Sequence, residues 1–363
     1  MPTTPFSVPV RTDWEGLVRC IRREGTPDRV YHIELFLDAE VQQAICERFG
    51  IDGGPGDASA APYRRQIALQ RFLGYDYVRA RLLAMDLPLK RDLAADTASL
   101  QREGGRRFQD EHTGPITSWE EFEDFQWPDP ERDEVYREYE WYEKNLPDDM
   151  CMIGSGGFAH FAEHLTWLMG YETLCYALFD QRDLVQAIAD RLYDIYDRAL
   201  RRMLEFNRVK IVWGSDDMGF RSATLISPDD LRAFVLPGHR HMAALSHAAG
   251  HPYLLHACGN LAQIMDDLID DVQIDAKHSF EDTIEQVTEA KHTYGRRIAL
   301  LGGIDVDFMC RATPEEIRAR VRRTLGICQP GGGYCLGTGN SVANYIPVEN
   351  YLAMMDEGRR YRG

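Results

Sequence analysis

The residues most suggestive of chemistry are His256 and Cys258 in the stretch YLLHACGN, residues 253–260. An apolar run ends there in an imidazole and a thiol, one residue apart, before a Gly-Asn turn. Side chains alternate along a strand, so His256 and Cys258 share one face while Ala257 takes the other. Two such donors suit a catalytic zinc, which keeps three protein ligands and one open position. The same spacing also fits a core histidine beside a small buried cysteine, since cysteine is among the most buried residue types.

Further polar groups follow other apolar runs. Asp216 and Asp217 come after VKIVWGS, Lys277 and His278 after QIDA, Asp305 after LLGGI, and Asn340 after CLGTG, while Glu34 sits within HIELFLD. Each alone suits a loop cap or a solvated position. Their shared placement at strand ends favours an active site. The glycine clusters GSGG, LGG and GTG let backbone approach a ligand, but none has the spacing of a phosphate-binding loop.

Strand and helix patterns alternate from residue 209 onward. VKIVWGSDD, HPYLLHACGN, VQIDAKHSF, RRIALLGGID and GGGYCLGTGNS read as strands, each followed by a helical pattern. Ser227 and Pro228 open one helix, Thr313 with Glu316 caps another, and Pro347 starts the last. Residues 29–37, 76–84 and 150–157 supply three earlier strands. The total is eight, the number that closes a (β/α)8 TIM barrel. Residues 90–132 read as a polar insertion with a hairpin and a short helix, carried on a single domain spanning 1–363. Trp119 and Trp127 in it suit packing onto the barrel.

The chain has 363 residues, 44% of them hydrophobic, enough for one large barrel. A net charge of −17 argues against nucleic-acid or anionic-membrane partners. No run approaches the ~20 apolar residues of a membrane helix. The first sixteen residues lack the apolar core of a secretory signal. Eight scattered cysteines suit reduced thiols, so a cytoplasmic setting is expected.

The chain resembles the uroporphyrinogen decarboxylase superfamily, which also contains zinc-dependent methyltransferases serving cobalamin chemistry. The likeness runs from DRVYHIELFLD through TGPITSWEEFEDFQWPDP, ISPDDLRAFVLPGHR, LLHACGN, RIALLGGIDVD and TPEEIRARVRRTL to GGGYCLGTGNSVANYIPVENYLAM. It implies a (β/α)8 barrel. HIELFLD is acidic where the decarboxylases carry arginines, and CLGTG places Thr338 where they carry a histidine. The methyltransferase branch instead matches His256 and Cys258. Its third zinc ligand, a cysteine, aligns with Asn340. Cys335 lies an odd number of residues away and faces the helical layer. Asp217, His278 and Glu34 are therefore the candidates for a third ligand, with water completing the shell.

The resemblance implies methyl transfer between a small substrate (a thiol, methyl ether or amine) and methylcobalamin carried by a corrinoid protein. Zinc on His256 and Cys258 would act as Lewis acid. In that reading His278 moves protons, Asp217 orients it or binds metal, and Asn340 hydrogen-bonds the substrate. Glu34, Asp216, Asp305 and Thr338 contact substrate. The resemblance also suggests a homodimer. One rival is a metal-free decarboxylase in which Arg79 or Arg81 grips a carboxylate. Another is a barrel that binds a ligand without turning it over.

Overall fold

Residues 4–362 are described in a computed structural model. In chain order the strands are β1 Tyr77–Arg81, β2 Arg91–Ala94, β3 Arg106–Gln109, β4 Cys151–Ser155, β5 Val209–Ser215, β6 Tyr253–His256, β7 Ala276–His278, β8 Ala299–Leu301 and β9 Tyr334–Cys335. All but β2 and β3 pair in parallel as one sheet in the order β1-β4-β5-β6-β7-β8-β9, with helices in the crossovers. The fold is an α/β barrel.

An all-parallel sheet is covered on both faces, so its strands can be apolar throughout. Every residue of β4, CMIGS, is accordingly buried. The helix Arg182–Met203 packs from outside through Leu184, Val185, Ile188, Leu192, Ile195 and Ala199. That spacing repeats every three to four residues, the period of one helix face, and each large apolar side chain so buried contributes about 1.5–3 kcal/mol. No helix among the described residues is long and apolar enough to cross a membrane.

The cap residues behave as their chemistry dictates. Thr313 and Glu316 form a reciprocal capping box on Pro314–Cys328, and Ser227 accepts from the Asp230 amide. The helix opened by Ser227 is not continuous, however. It passes through a π turn, Leu231–Val235, before Leu236–Ala248. Pro237 has no N–H to close an ordinary turn onto residue 233, which leaves room for the wider one.

The first expected strand, residues 29–37, differs most from its pattern. It makes only isolated parallel bridges, His32 to Leu336 and Leu37 to Val342, both toward the last strand. On its other side the Tyr77 hydroxyl receives the Glu34 amide at 2.9 Å and lies 3.3 Å from the Glu34 carbonyl. A side chain thus takes the place of a ladder where the barrel meets β1. The expected insertion is present: β2 and β3 form an antiparallel hairpin, followed by the short helix Trp119–Asp124. Arg102 and Arg106 in it bind Asp38 and Glu40, and Asn344 binds Asp96, which ties the hairpin to loops after residues 29–37 and β9. Trp127 packs toward the core edge-on to Phe122 and Phe125, whereas Trp119 is 46% exposed.

Candidate metal centre

In the sheet register Ser215, His256 and His278 are neighbours across β5, β6 and β7. His256 is therefore the last ladder residue of its strand, and the chain leaves the sheet immediately after it. Cys258 returns to the same side, with Sγ 3.4 Å from His256 Nε2. The loop after β5 closes onto this loop through glycines. Gly259 sits at φ +87°, and a Cβ there would come within 2.1 Å of the Gly219 backbone. The Asn260 amide then bonds the Phe220 carbonyl at 2.7 Å. This clasp brings Asp217 in: its Oδ1 accepts the Cys258 amide at 3.1 Å and lies 3.5 Å from His256 Nε2.

Asp217, His256 and Cys258 thus offer three donor atoms, all within 4.8 Å of one another. Tetrahedral ligands at typical zinc bond lengths stand roughly 3.3–3.8 Å apart. The two spacings at His256 Nε2 fall in that range. Burial works to raise the Asp217 carboxyl, but the His256 imidazole and the Cys258 contacts outweigh it and hold it at about 2. Burial and the adjacent Asp217 charge push the Cys258 thiol up. Two potential anions crowded around one imidazole are what a divalent cation relieves. The donor set fits zinc.

The surrounding shell sets the donors. His256 Nδ1 lies 2.7 Å from His278 Nδ1. With Nε2 turned to Cys258 and Asp217, a proton on His256 Nδ1 is donated to His278, as a histidine that binds metal through one nitrogen donates from the other. His278 is fully buried, against the edge of Trp213. Burial, with His256 and Lys277 beside it, drives its pKa well below the ordinary value. It is a neutral acceptor behind the ligand, not a solvent-facing acid or base, which corrects the expectation of proton transfer. Nor does it offer a third ligand. Asn340 Nδ2 donates to Cys258 Sγ at 3.2 Å, with Ser279 Oγ at 3.8 Å, so Asn340 touches the thiol side chain rather than replacing it.

The other expected residues lie elsewhere. Asp216 is fully buried and takes the Ala162 and Glu163 amides, both at 2.9 Å, and His239 Nε2 at 2.8 Å. It caps the helix Phe161–Met169. Asp305 accepts the Phe308 and Asp282 amides, each at 2.9 Å. Both aspartates serve loops, the ordinary role of such residues. Lys277 turns away from His278 and donates to the Ser279 carbonyl. Glu34 is paired with Thr338, which donates its amide at 2.7 Å and its hydroxyl at 2.6 Å. Burial pushes the Glu34 carboxyl up to about 8 against those bonds. A largely protonated, occupied carboxyl is a poor third ligand. Cys335 is buried on the helical side against Cys20, as its parity requires.

Sequence reasoning passed over Trp213, Ser279, the Gly219–Gly259 clasp, and His160 with Glu163, which are hydrogen-bonded to each other. The Asp216 and Asp217 charges help hold the His160 imidazolium above its ordinary pKa, with Glu163 the largest contributor against the opposing effect of burial. The segment GGFAHFAEHL after β4 carried a strand-end signal that could have flagged this pair.

Residues 111–361 match the family model for uroporphyrinogen decarboxylase (URO-D). The chain belongs to that family. A methylated-thiol–coenzyme M methyltransferase of Methanosarcina mazei is 35% identical over 133 residues, which is 36% of this chain and 33% of that protein. The matched stretch thus spans about a third of that relative's length. Among solved structures, a methyltransferase from Methanosarcina mazei superposes with a TM-score of 0.68 at 15% identity, covering 96% of this chain and 98% of that one. A Listeria monocytogenes protein described as a vitamin-B12-independent methionine synthase gives 0.50 at 14% identity, covering 93% and 97%. At these identities the structural likeness speaks for the fold.

Proposed function

We propose that the protein is a methyltransferase that moves a methyl group between a small thiol, methyl ether or amine and a corrinoid carried by a partner protein. Zinc would be held by His256, Cys258 and Asp217. The observation that carries this reading is the convergence of those three donor atoms from the end of β6 and the loops after β5 and β6. Family membership and the partial match to a thiol methyltransferase support it.

A bound zinc with an open fourth position supplies Lewis acidity, lowering the pKa of a substrate thiol or polarising a leaving heteroatom. The chain's own residues prepare that position. His278 fixes the ring plane and tautomer of His256. Asn340 and Ser279 donate to the Cys258 sulfur, which favours its anionic form. Asp217, with 43% of its side chain exposed against 4% for His256, forms the edge that substrate meets first. A corrinoid on the partner would supply the methyl group and keep the bonding pair of the cobalt–carbon bond, while the substrate thiol would form the S–C bond here and give its proton to solvent.

Metal-free decarboxylation is the weaker reading. It needs a free aspartate near Arg79 or Arg81, yet Asp216 and Asp305 are taken up as caps and Asp38 is held by Arg102 and Arg106. The test is zinc content and methyl transfer from methylcobalamin to a panel of thiols, with His256→Ala as control. One zinc per chain and turnover are expected in the native protein, and loss of both in the variant. Full zinc occupancy in His256→Ala would overturn the assignment.

A further inference from the structure

A cavity of about 510 Å³ opens between residues 34–39, the helix Ala61–Leu73 and the carboxyl ends of β1 and β4. Its charged lining residues are Glu34, Asp38, Arg79, Arg81 and Glu138. Four of these are accounted for. Arg81 pairs with Glu138 at 2.7 Å, Asp38 with Arg102 and Arg106, and Glu34 is bonded to Thr338 and largely protonated near neutrality.

Arg79 is different. Among the described residues no carboxylate pairs with it. Its Nε donates to Ser155 Oγ at 2.9 Å, and its guanidinium lies over the Trp213 ring, 4.8 Å from the centroid. Burial lowers its pKa to about 10, so it stays cationic at neutral pH. Arg79 is half-buried at the cavity wall, and one hydroxyl and one ring face are the only partners of its guanidinium among the described residues. A guanidinium with free N–H groups facing a cavity recognises a planar oxyanion in two-pronged fashion.

Trp213 connects this cavity to the metal ligands. Arg79 stacks on its face and His278 meets its edge at 5.6 Å between centroids. Trp213 is the register neighbour of Leu254, two residues before His256, so it lies one layer deeper in the barrel. Fully buried, it packs between Arg79 and His278, the ring behind His256.

We infer that Arg79 is the anion-binding residue of the site, and that the substrate is a small molecule bearing a carboxylate or similar oxyanion at one end. The reactive heteroatom at the other end is directed along the barrel mouth toward Asp217, His256 and Cys258. The identity of that reactive end rests on the methyl-transfer reading; the anion site does not.

The test titrates the zinc-loaded full chain calorimetrically with ω-mercapto carboxylates of increasing length, the matching mercapto alcohols, and butanoate, which has no thiol. The native protein should bind the best acid about 10–100-fold more tightly than its alcohol, the worth of a charge-assisted hydrogen bond. Arg79→Gln should remove that preference and butanoate binding while leaving alcohol affinity and zinc content intact, and Arg79→Lys should restore part of both. Equal affinity for acid and alcohol in the native protein overturns the inference without any variant. So does a preference that survives Arg79→Gln. A chain that holds no zinc and transfers no methyl group, yet binds butanoate through Arg79, leaves the anion site standing and removes the methyl-transfer reading. Zinc and turnover without acid preference give the reverse.

Discussion

Where β5, β6 and β7 meet, Ser215, His256 and His278 stand in register, and the ladder delivers the ligand and its supporting ring to one level. Across the mouth, residues 29–37 meet β1 through the hydroxyl of Tyr77, with backbone bridges only on the other side. The first region presents crowded potential anions awaiting a cation. The second presents an unpaired cation beside a neutralised carboxyl, awaiting an anion. The regular sheet fixes His256 and the ring behind it, and the Gly219–Gly259 clasp brings the two loop donors to them. A seam joined by side chains leaves a hollow, which a substrate needs.

The largest effect should separate the two carboxylates that could have completed the metal shell. Asp217→Ala is expected to lower zinc affinity by on the order of a thousandfold, a few kcal/mol for one ligand of a site worth about 10–16 kcal/mol. Glu34→Gln should leave it unchanged, both read by competition with a chromophoric chelator. Comparable losses in the two variants would erase the distinction between the regions.

A second test addresses the ring behind the ligand. His278→Phe keeps a flat buried side chain but removes the acceptor for His256 Nδ1. Zinc affinity should fall about 10–100-fold, as for other outer-shell partners, while the metal-free protein unfolds at an unchanged or higher denaturant concentration. A residue that merely filled space would give the opposite pair of results.

The metal side was the more legible of the two. His-x-Cys parity placed two donors on one face from spacing alone, and the odd offset of Cys335 correctly sent it outward. Asp217 was one of three third-ligand candidates. What places it beside His256 and Cys258 is the Gly219–Gly259 clasp, a contact between loops some forty residues apart that no local pattern encodes. Asp216 and Asp305 matched the strand-end pattern equally well but were absorbed by helix amides, because an N-cap carboxylate and a catalytic one look alike in sequence. Residues 29–37 carried a sound strand pattern. Tyr77 satisfied their second edge instead, a tertiary substitution invisible to periodicity.

The clasp itself is the third test. Gly259→Ala combines a left-handed φ with a backbone clash, so a loss of about 1–3 kcal/mol in stability is expected, measured by denaturant titration. Weaker zinc binding should accompany it as Asp217 is displaced. Intact affinity would mean the loops hold their places without the glycine contact.

The remaining test lies on the cavity side and depends on pH. The folded Glu34 carboxyl keeps its proton up to about 8 because burial disfavours its charge, whereas in the unfolded chain it ionises near the ordinary value of 4.5. Between those limits unfolding releases a proton, so this residue makes stability fall as pH rises. The slope for one proton is at most ~1.4 kcal/mol per pH unit. Glu34→Gln keeps an acceptor for Thr338 but cannot ionise, so its stability should lose that component of the decline between about pH 5 and pH 8. Below pH 4.5, where both forms of the native residue are protonated, variant and native protein should differ by a constant amount. If the native protein instead shows no such decline relative to the variant across this window, Glu34 is ionised in the folded chain. The cavity would then hold a carboxylate facing Arg79, and the contrast between the two sides of the mouth would be one of geometry rather than charge.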